Sequence, residues 1–216
     1  MANKIALILV LLFSIRPIVA STNFPSHWWK SSVSFGQVVP SWEILPDKGT
    51  IGKSVVLSKR NELGILSNFA PTPIVFEGKK YSSLEGAWQS MKYPEGETDK
   101  RYGDDKLPYT REDVEQMVGF EAKKAGSLAS ALMKKHDVNF VTYAGKKLVY
   151  RTKKKGDHYQ LIKKMMKAKL DQHKGVRDIL ISTGKLILLP DHYSKSNYIP
   201  PAWKYYDIWM DLRAEL

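Results

Sequence analysis

Glu85, Gln89 and Lys92 place a carboxyl, an amide and an amine at i, i+4 and i+7. On a helix of 3.6 residues per turn such positions stack on one line. Leu84, Trp88 and Met91 recur at the same spacing one residue earlier, about 100° round the helix, and form an apolar stripe that faces a core. The polar line therefore runs beside a buried face, as a solvated edge or as the wall of a pocket. A helix start precedes it: Ser82, with Glu85 three residues on, has the form of an S-x-x-E capping box. On local pattern alone Glu85 is as readily a capping residue as a reacting one, with Gln89 and Lys92 as ordinary surface residues.

Elements on both sides bear on that choice. Upstream, Gly64-Ile-Leu-Ser67-Asn68-Phe69-Ala-Pro71 precedes a short apolar strand and a glycine turn, Pro73-Ile-Val-Phe-Glu-Gly78-Lys79-Lys-Tyr81. Ser67 and Asn68 alone would read as a local turn, since their side chains compete for backbone groups. Downstream stand Ala168-Lys169-Leu170-Asp171-Gln172-His173 and, at the C-terminus, Trp209-Met210-Asp211-Leu212-Arg213. In this order (SNF, strand, G-K, E-x-x-x-Q-x-x-K on a helix, then the two later patches) the chain resembles the NADAR (YbiA-like) family. The later patches are similar to that family's A-K-F-x-Q-H and L-M-E-[LI]-R signatures. The resemblance runs from about Leu57 to Leu216.

What the resemblance implies is an α+β fold, a mainly helical single domain around a small antiparallel sheet. It implies an enzyme that hydrolyses the N-glycosidic C–N bond of a ribosylated or ADP-ribosylated base or nucleotide, without a cofactor or metal. Carried onto this sequence, Glu85 and Lys92 become the catalytic pair. Glu85 stabilises an oxocarbenium-like cation or serves as base for the water. Lys92 binds phosphate or, if desolvated enough to be neutral, attacks the anomeric carbon to form an imine. Ser67, Asn68, Phe69, Gln89 and Asp191 become substrate-binding: Gln89 orients a ribose hydroxyl, Asn68 and its loop hold sugar, base or phosphate, and Phe69 packs beneath. Trp88 reads as core rather than as a stacking platform. In the loop Asp191-His-Tyr-Ser-Lys-Ser-Asn197-Tyr the family's Trp-Gly pair is absent and the loop is short, with Asp191 or Asn197 standing in for its acidic residue. A helical tryptophan upstream of Ala168 is absent too. The implied partner is a phosphorylated ribosyl-base or ADP-ribosyl substrate, with nucleic acid as one form of it. Two other classes stay open: a non-catalytic module that binds nucleotides, ADP-ribose or nucleic acid, and a secreted effector with the same chemistry on a foreign substrate.

Bulk properties bound these readings. The 216 residues suit one domain, and 43% hydrophobic with 26% charged residues is the composition of a folded protein. The net charge of +12 favours anionic partners without choosing among them. At the N-terminus, Lys4, the apolar run from Ile5 to Ile15, Arg16-Pro17 and then Ala20 before Ser21 have the layout of a secretory signal peptide over residues 1–20. The run is shorter than the roughly 20 residues of a spanning helix, so no integral span is expected, and the protein is expected to be exported after cleavage near Ala20. Loss of Lys4 and Arg16 would lower the charge from +12 to +10. The chain has no cysteine, which removes disulfides, thiol nucleophiles and thiolate metal sites. Its five histidines show neither H-x-x-x-H nor H-E-x-x-H spacing, and no P-loop, G-x-G-x-x-G or G-x-S-x-G appears.

The remaining elements follow from turn and cap signals. Residues 21–53, rich in Ser, Pro and Gly with Trp28, Trp29 and Trp42, read as an irregular leader, and 54–216 as the domain. Strands are expected at Ser54–Ser58, Pro73–Glu77 and Lys185–Leu189. The polar stretch Pro94–Tyr109 reads as a flap or an exposed insertion. Helices are expected after Thr110, across Phe120 to Met133 with close packing at Gly126, from a cap at Asp157 to a stop at Gly175, over Val176–Thr183, and over Ala202–Leu216 with Trp203 in the core. Residues 138–151 fit a hairpin, or a loop with a short helix. The lysine-rich face of Lys163, Lys164 and Lys167 reads as solvated.

Overall fold

The structure is a computed structural model and describes residues 24–31, 36, 38–194, 196 and 198–216. The expected signal peptide and Asn197 lie outside those residues. The fold is α+β: among the described residues six helices surround three separate two-stranded pairings. Strand β1 (Ser54–Val56) lies parallel to β6 (Ile187–Leu189), with Val55 opposite Leu188. Strands β2 (Ile74–Phe76) and β3 (Lys79–Tyr81) form one antiparallel hairpin, and β4 (Phe140–Tyr143) and β5 (Lys146–Val149) another. The pairing of β1 with β6 departs from an all-antiparallel sheet, because it joins the two ends of the domain across a long crossover. Both hairpins close through two residues of positive φ, Glu77-Gly78 and Ala144-Gly145, the turn whose twist matches the strands. That settles residues 138–151 as a hairpin.

Helix α1 (Leu84–Ser90) is the centre of the fold. It packs on α2 (Arg111–Glu115), α3 (Gly119–Lys135) and α4 (Asp157–Gln172). On one side lies the main core, with Trp28, Leu57, Met91, Met166 and Trp209 buried; on the other, Tyr93, Val114, Ala122 and Ala125 form a smaller one. Close approach is built in at Gly86, where a Cβ would lie 2.6 Å from the Met117 carbonyl oxygen. Helices α5 (Lys174–Ser182) and α6 (Tyr205–Arg213) complete the shell.

Several local expectations shift. The cap of α1 is Ser83, not Ser82: Ser83 Oγ accepts from Gly86 N at 2.9 Å and donates to Met117 O at 2.9 Å, while Ser82 Oγ turns to Gln116. Glu85 is therefore no member of a capping box. The capping box is at α2, between Thr110 and Asp113. Gly156, not Asp157, caps α4, and the break before α5 falls at His173 rather than Gly175. The stretch 94–109 forms turns pinned by Arg101, a fully buried side chain bonded to Asp99 Oδ2 at 2.6 Å and to the Lys92 carbonyl.

Candidate functional site

Glu85 sits in the first turn of α1 with 6% of its surface exposed. Its amide donates to Asn68 O at 2.9 Å, so the Ser67-Asn68 loop extends the N-terminus of the helix. Its carboxyl, freed from capping, accepts from Gln89 Nε2 at 2.7 Å. Burial pushes the Glu85 carboxyl above its usual range, against the pull of the Gln89 bond and the nearby Lys123 and Lys92 charges. Gln89 owes its place to Gly126: a Cβ there would fall 1.6 Å from Gln89 Oε1. Lys92, one turn on and 8% exposed, donates to Ser130 Oγ at 3.0 Å. Burial, with the Lys123 and Arg151 charges and against Glu85, lowers its amine to about 8.

The loop facing α1 is held from behind. Lys169 Nζ, fully buried, donates to Ser67 O at 2.9 Å, and Trp209 Nε1 donates to Leu66 O at 2.7 Å. Burial alone lowers the Lys169 amine to about 7. In the same motif Gln172 bonds both backbone groups of Val75, at 2.8 and 2.7 Å, and His173 Nε2 donates to Pro73 O at 2.6 Å. Lys169, Gln172 and His173 thus act as a clasp on the segment from Ser67 to Val75. Asn68 Oδ1 and Gln89 Oε1 are buried with no hydrogen-bond partner among the described residues.

These side chains line a cavity of about 390 Å³. Glu85, Gln89 and Lys92 form its floor, and Ser67, Asn68 and Phe69 one wall. Asp191 lines it too, with Lys59 set between its carboxylate and the Phe69 ring. All seven residues singled out from the sequence therefore meet in one place. The Asp191 carboxylate is already engaged on both oxygens: Oδ1 receives His192 Nδ1 at 2.9 Å and Tyr205 OH at 3.1 Å, and Oδ2 pairs with Lys59. Burial would push it up, but His192 and Lys59 hold it below the usual carboxylate range. It braces the wall.

The cavity holds more aromatic surface than the sequence suggests. Phe69 meets Phe120 edge-on at 5.1 Å, and Phe120 meets Trp42 at 5.9 Å. Trp88, expected in the core, is half-buried and lines the cavity, edge-on to His158 at 4.8 Å and to Trp203 at 6.2 Å. Trp203 is 37% exposed and borders the cavity too, because α6 starts only at Tyr205 and leaves it on a preceding turn. Lys59, Lys123 and His192 also reach the site, and no local spacing signals them. Among the described residues no three His, Asp or Glu side chains converge as metal ligands.

By sequence, no family profile and no curated protein matches the chain. Among solved structures it is similar to the NMR structure of the E. coli protein YbiA, at 19% identity over 79% of this chain and 89% of that one, with a TM-score of 0.45. So distant a likeness assigns no role to any residue, and the chemistry rests on the geometry of the cavity.

Proposed function

We propose that the cavity hydrolyses the N-glycosidic bond of a ribosylated or ADP-ribosylated base or nucleotide. One observation carries the reading: a carboxyl and an amine, both buried in a single cavity, have their proton affinities moved towards each other, Glu85 upward and Lys92 down to about 8. Groups so tuned exchange protons near neutral pH at little cost. Roughly a tenth of Lys92 would be neutral at pH 7. This favours the amine as nucleophile over the same group as a phosphate clamp, a task left to the exposed Lys123 that lines the cavity.

In this reading Lys92 Nζ attacks C1′ of the ribose. The C1′–N bond breaks, and its electron pair leaves with the base, which takes a proton from the Glu85 carboxyl. Nζ passes a proton to O4′ as the sugar ring opens at C1′–O4′, and a protonated imine forms on Lys92. Water then adds to the imine carbon, losing a proton to the Glu85 carboxylate; Glu85 hands that proton to Nζ, the C–Nζ bond breaks, and the hydroxyl proton returns to Glu85 as the sugar aldehyde and the amine are freed. The net change is ribosyl-base plus water to sugar plus base. Gln89 orients the Glu85 carboxyl, and Asn68 Oδ1 accepts from a sugar hydroxyl.

The test is mass spectrometry of products from ADP-ribosylated guanine, NAD and a ribosylaminopyrimidine phosphate, beside a folded Glu85→Gln variant. Borohydride added during turnover should leave a sugar-sized adduct on Lys92. Release of base by the wild type and not by the variant supports the reading. Binding without release from any substrate removes it in favour of a binding module. Export is a separate proposal, tested by finding mature protein that begins at Ser21 outside the cell.

A further inference from the structure

Three tryptophans lie in the leader, and they part company. Trp28 and Trp29 are buried against the domain, with Trp28 Nε1 bonded to Glu62 at 2.6 Å and Trp29 Nε1 to Ser54 O at 2.8 Å. That is the ordinary fate of a large apolar ring in a docked segment. Trp42 is 39% exposed and stands over the cavity. Its place is built rather than loose. Residues 42–44 run antiparallel to 191–193, with Ile44 N bonded to Asp191 O at 2.8 Å, Tyr193 N to Trp42 O at 2.9 Å, and Glu43 paired with His192. Glu43 is also gripped by Arg60 through two bonds, at 2.6 and 2.7 Å. The partner ring, Phe120, follows Gly119, whose φ of +54° turns the chain into α3. Phe120 is 61% exposed, and with Phe69 and Trp42 it makes an edge-to-face set that leaves ring surface open to the cavity.

We infer that Trp42 and Phe120 form the stacking site for the planar base of the substrate, so that the leader, not only the domain, sets which leaving groups are accepted. Such open ring surface is costly in water and matches a flat aromatic ligand. The same cavity carries the reacting groups, so a base held at Trp42 and Phe120 would keep its ribose within the cavity that holds Glu85 and Lys92. Trp42 lies outside the stretch from Leu57 to Leu216 that carries the family resemblance. The identity of the ligand rests on the glycosidase reading above; the stacking site itself does not need turnover.

Calorimetry of the full chain with formycin 5′-phosphate and with ribose 5-phosphate tests this. The first is a purine-like nucleotide whose base is joined by a C–C bond that hydrolysis cannot cut, and the second is its sugar without the base. Wild type should prefer the nucleotide. Trp42→Ala should weaken nucleotide binding by roughly tenfold to a hundredfold and leave ribose 5-phosphate unchanged, while Trp42→Phe keeps most of the preference. Equal weakening of both ligands would mark Trp42 as a structural brace only. That result, an unchanged nucleotide affinity, or a wild type that does not favour the nucleotide overturns the inference. Base-dependent binding that needs Trp42, without turnover of any N-glycoside, would remove the hydrolysis and keep the stacking site. Turnover indifferent to Trp42 would do the reverse.

Discussion

Gly126 is the most exacting position in the site, and its replacement by alanine separates packing from backbone effects. A Cβ at residue 126 would lie 1.6 Å from Gln89 Oε1 and 2.2 Å from its Cδ, distances no small adjustment relieves. Gln89 is almost fully buried, so it has to swing away and give up its 2.7 Å bond to Glu85. The overpacking costs about 1–3 kcal/mol, and the lost bond about 1 kcal/mol more. Against this, alanine is about 1 kcal/mol better than glycine inside a helix. The net expectation for Gly126→Ala is a loss of about 1–3 kcal/mol. In a Gln89→Ala background the clash vanishes and only the helix term remains, so the same substitution should stabilise by up to about 1 kcal/mol. A double-mutant cycle by urea unfolding would read a coupling of about 2–4 kcal/mol with the sign reversed between backgrounds. If Gly126→Ala costs the same with and without Gln89, the contact does not govern the site.

Two further outcomes follow from buried cations. Lys92 and Lys169 fall from the ordinary 10.5 to about 8 and about 7, so above those values the unfolded chain holds protons that the folded chain has lost. Stability therefore rises with pH, by up to ~1.4 kcal/mol per unit for each lysine, and both contribute between pH 8 and the onset of tyrosine ionisation near 10. Urea midpoints across that window should climb, and Lys169→Met should remove about half of the slope; a flat or falling profile in the wild type refutes the assignment. Arg101→Met would leave the Asp99 carboxylate and the Lys92 carbonyl short of a partner, at a cost of about 3 kcal/mol. Limited proteolysis should then cut within residues 94–109; resistance equal to wild type would show that Arg101 is not the pin.

The sequence makes the floor of this site legible and leaves the roof obscure, for a physical reason. Glu85, Gln89 and Lys92 share one helical line, and helical lines are visible in spacing alone. The turn at Gly78 announces itself, since few residues accept positive φ, whereas Gly145 alone leaves residues 138–151 open between a hairpin and a loop with a short helix. What spacing does not carry is competition between neighbours that distant atoms decide. The S-x-x-E spacing points to Ser82 as the cap, and it is Ser83, bonded to the Met117 carbonyl, that takes the place. Gly175 looks like a helix stop, but the stop lies at His173, whose ring is drawn to Pro73 O. Trp42 reaches the cavity only because backbone bonds join residues 42–44 to 191–193, a pairing across most of the chain. The lysine of the A-K-x-x-Q-H stretch stands out in sequence as part of a motif, yet its target is a backbone carbonyl, which no motif displays.

The cavity is also a place where the fold gives up stability. Glu85 bonds to Gln89 and Lys92 to Ser130 rather than to each other, so neither buried group has its charge balanced by a direct partner. The fall of Lys92 to about 8 corresponds to about 3 kcal/mol against its charged form in the folded chain. Two buried acceptors, Asn68 Oδ1 and Gln89 Oε1, add an unmade hydrogen bond each. A core assembled only for stability would fill this volume with aliphatic side chains, as the cluster behind α1 does with Ala87 and Met91. A ligand that donates to these acceptors relieves part of the cost, and every part it relieves appears as affinity. The same arithmetic explains why the groups stay poised: an ion pair between Glu85 and Lys92 would stabilise both charges and hold the amine protonated, leaving no nucleophile at neutral pH.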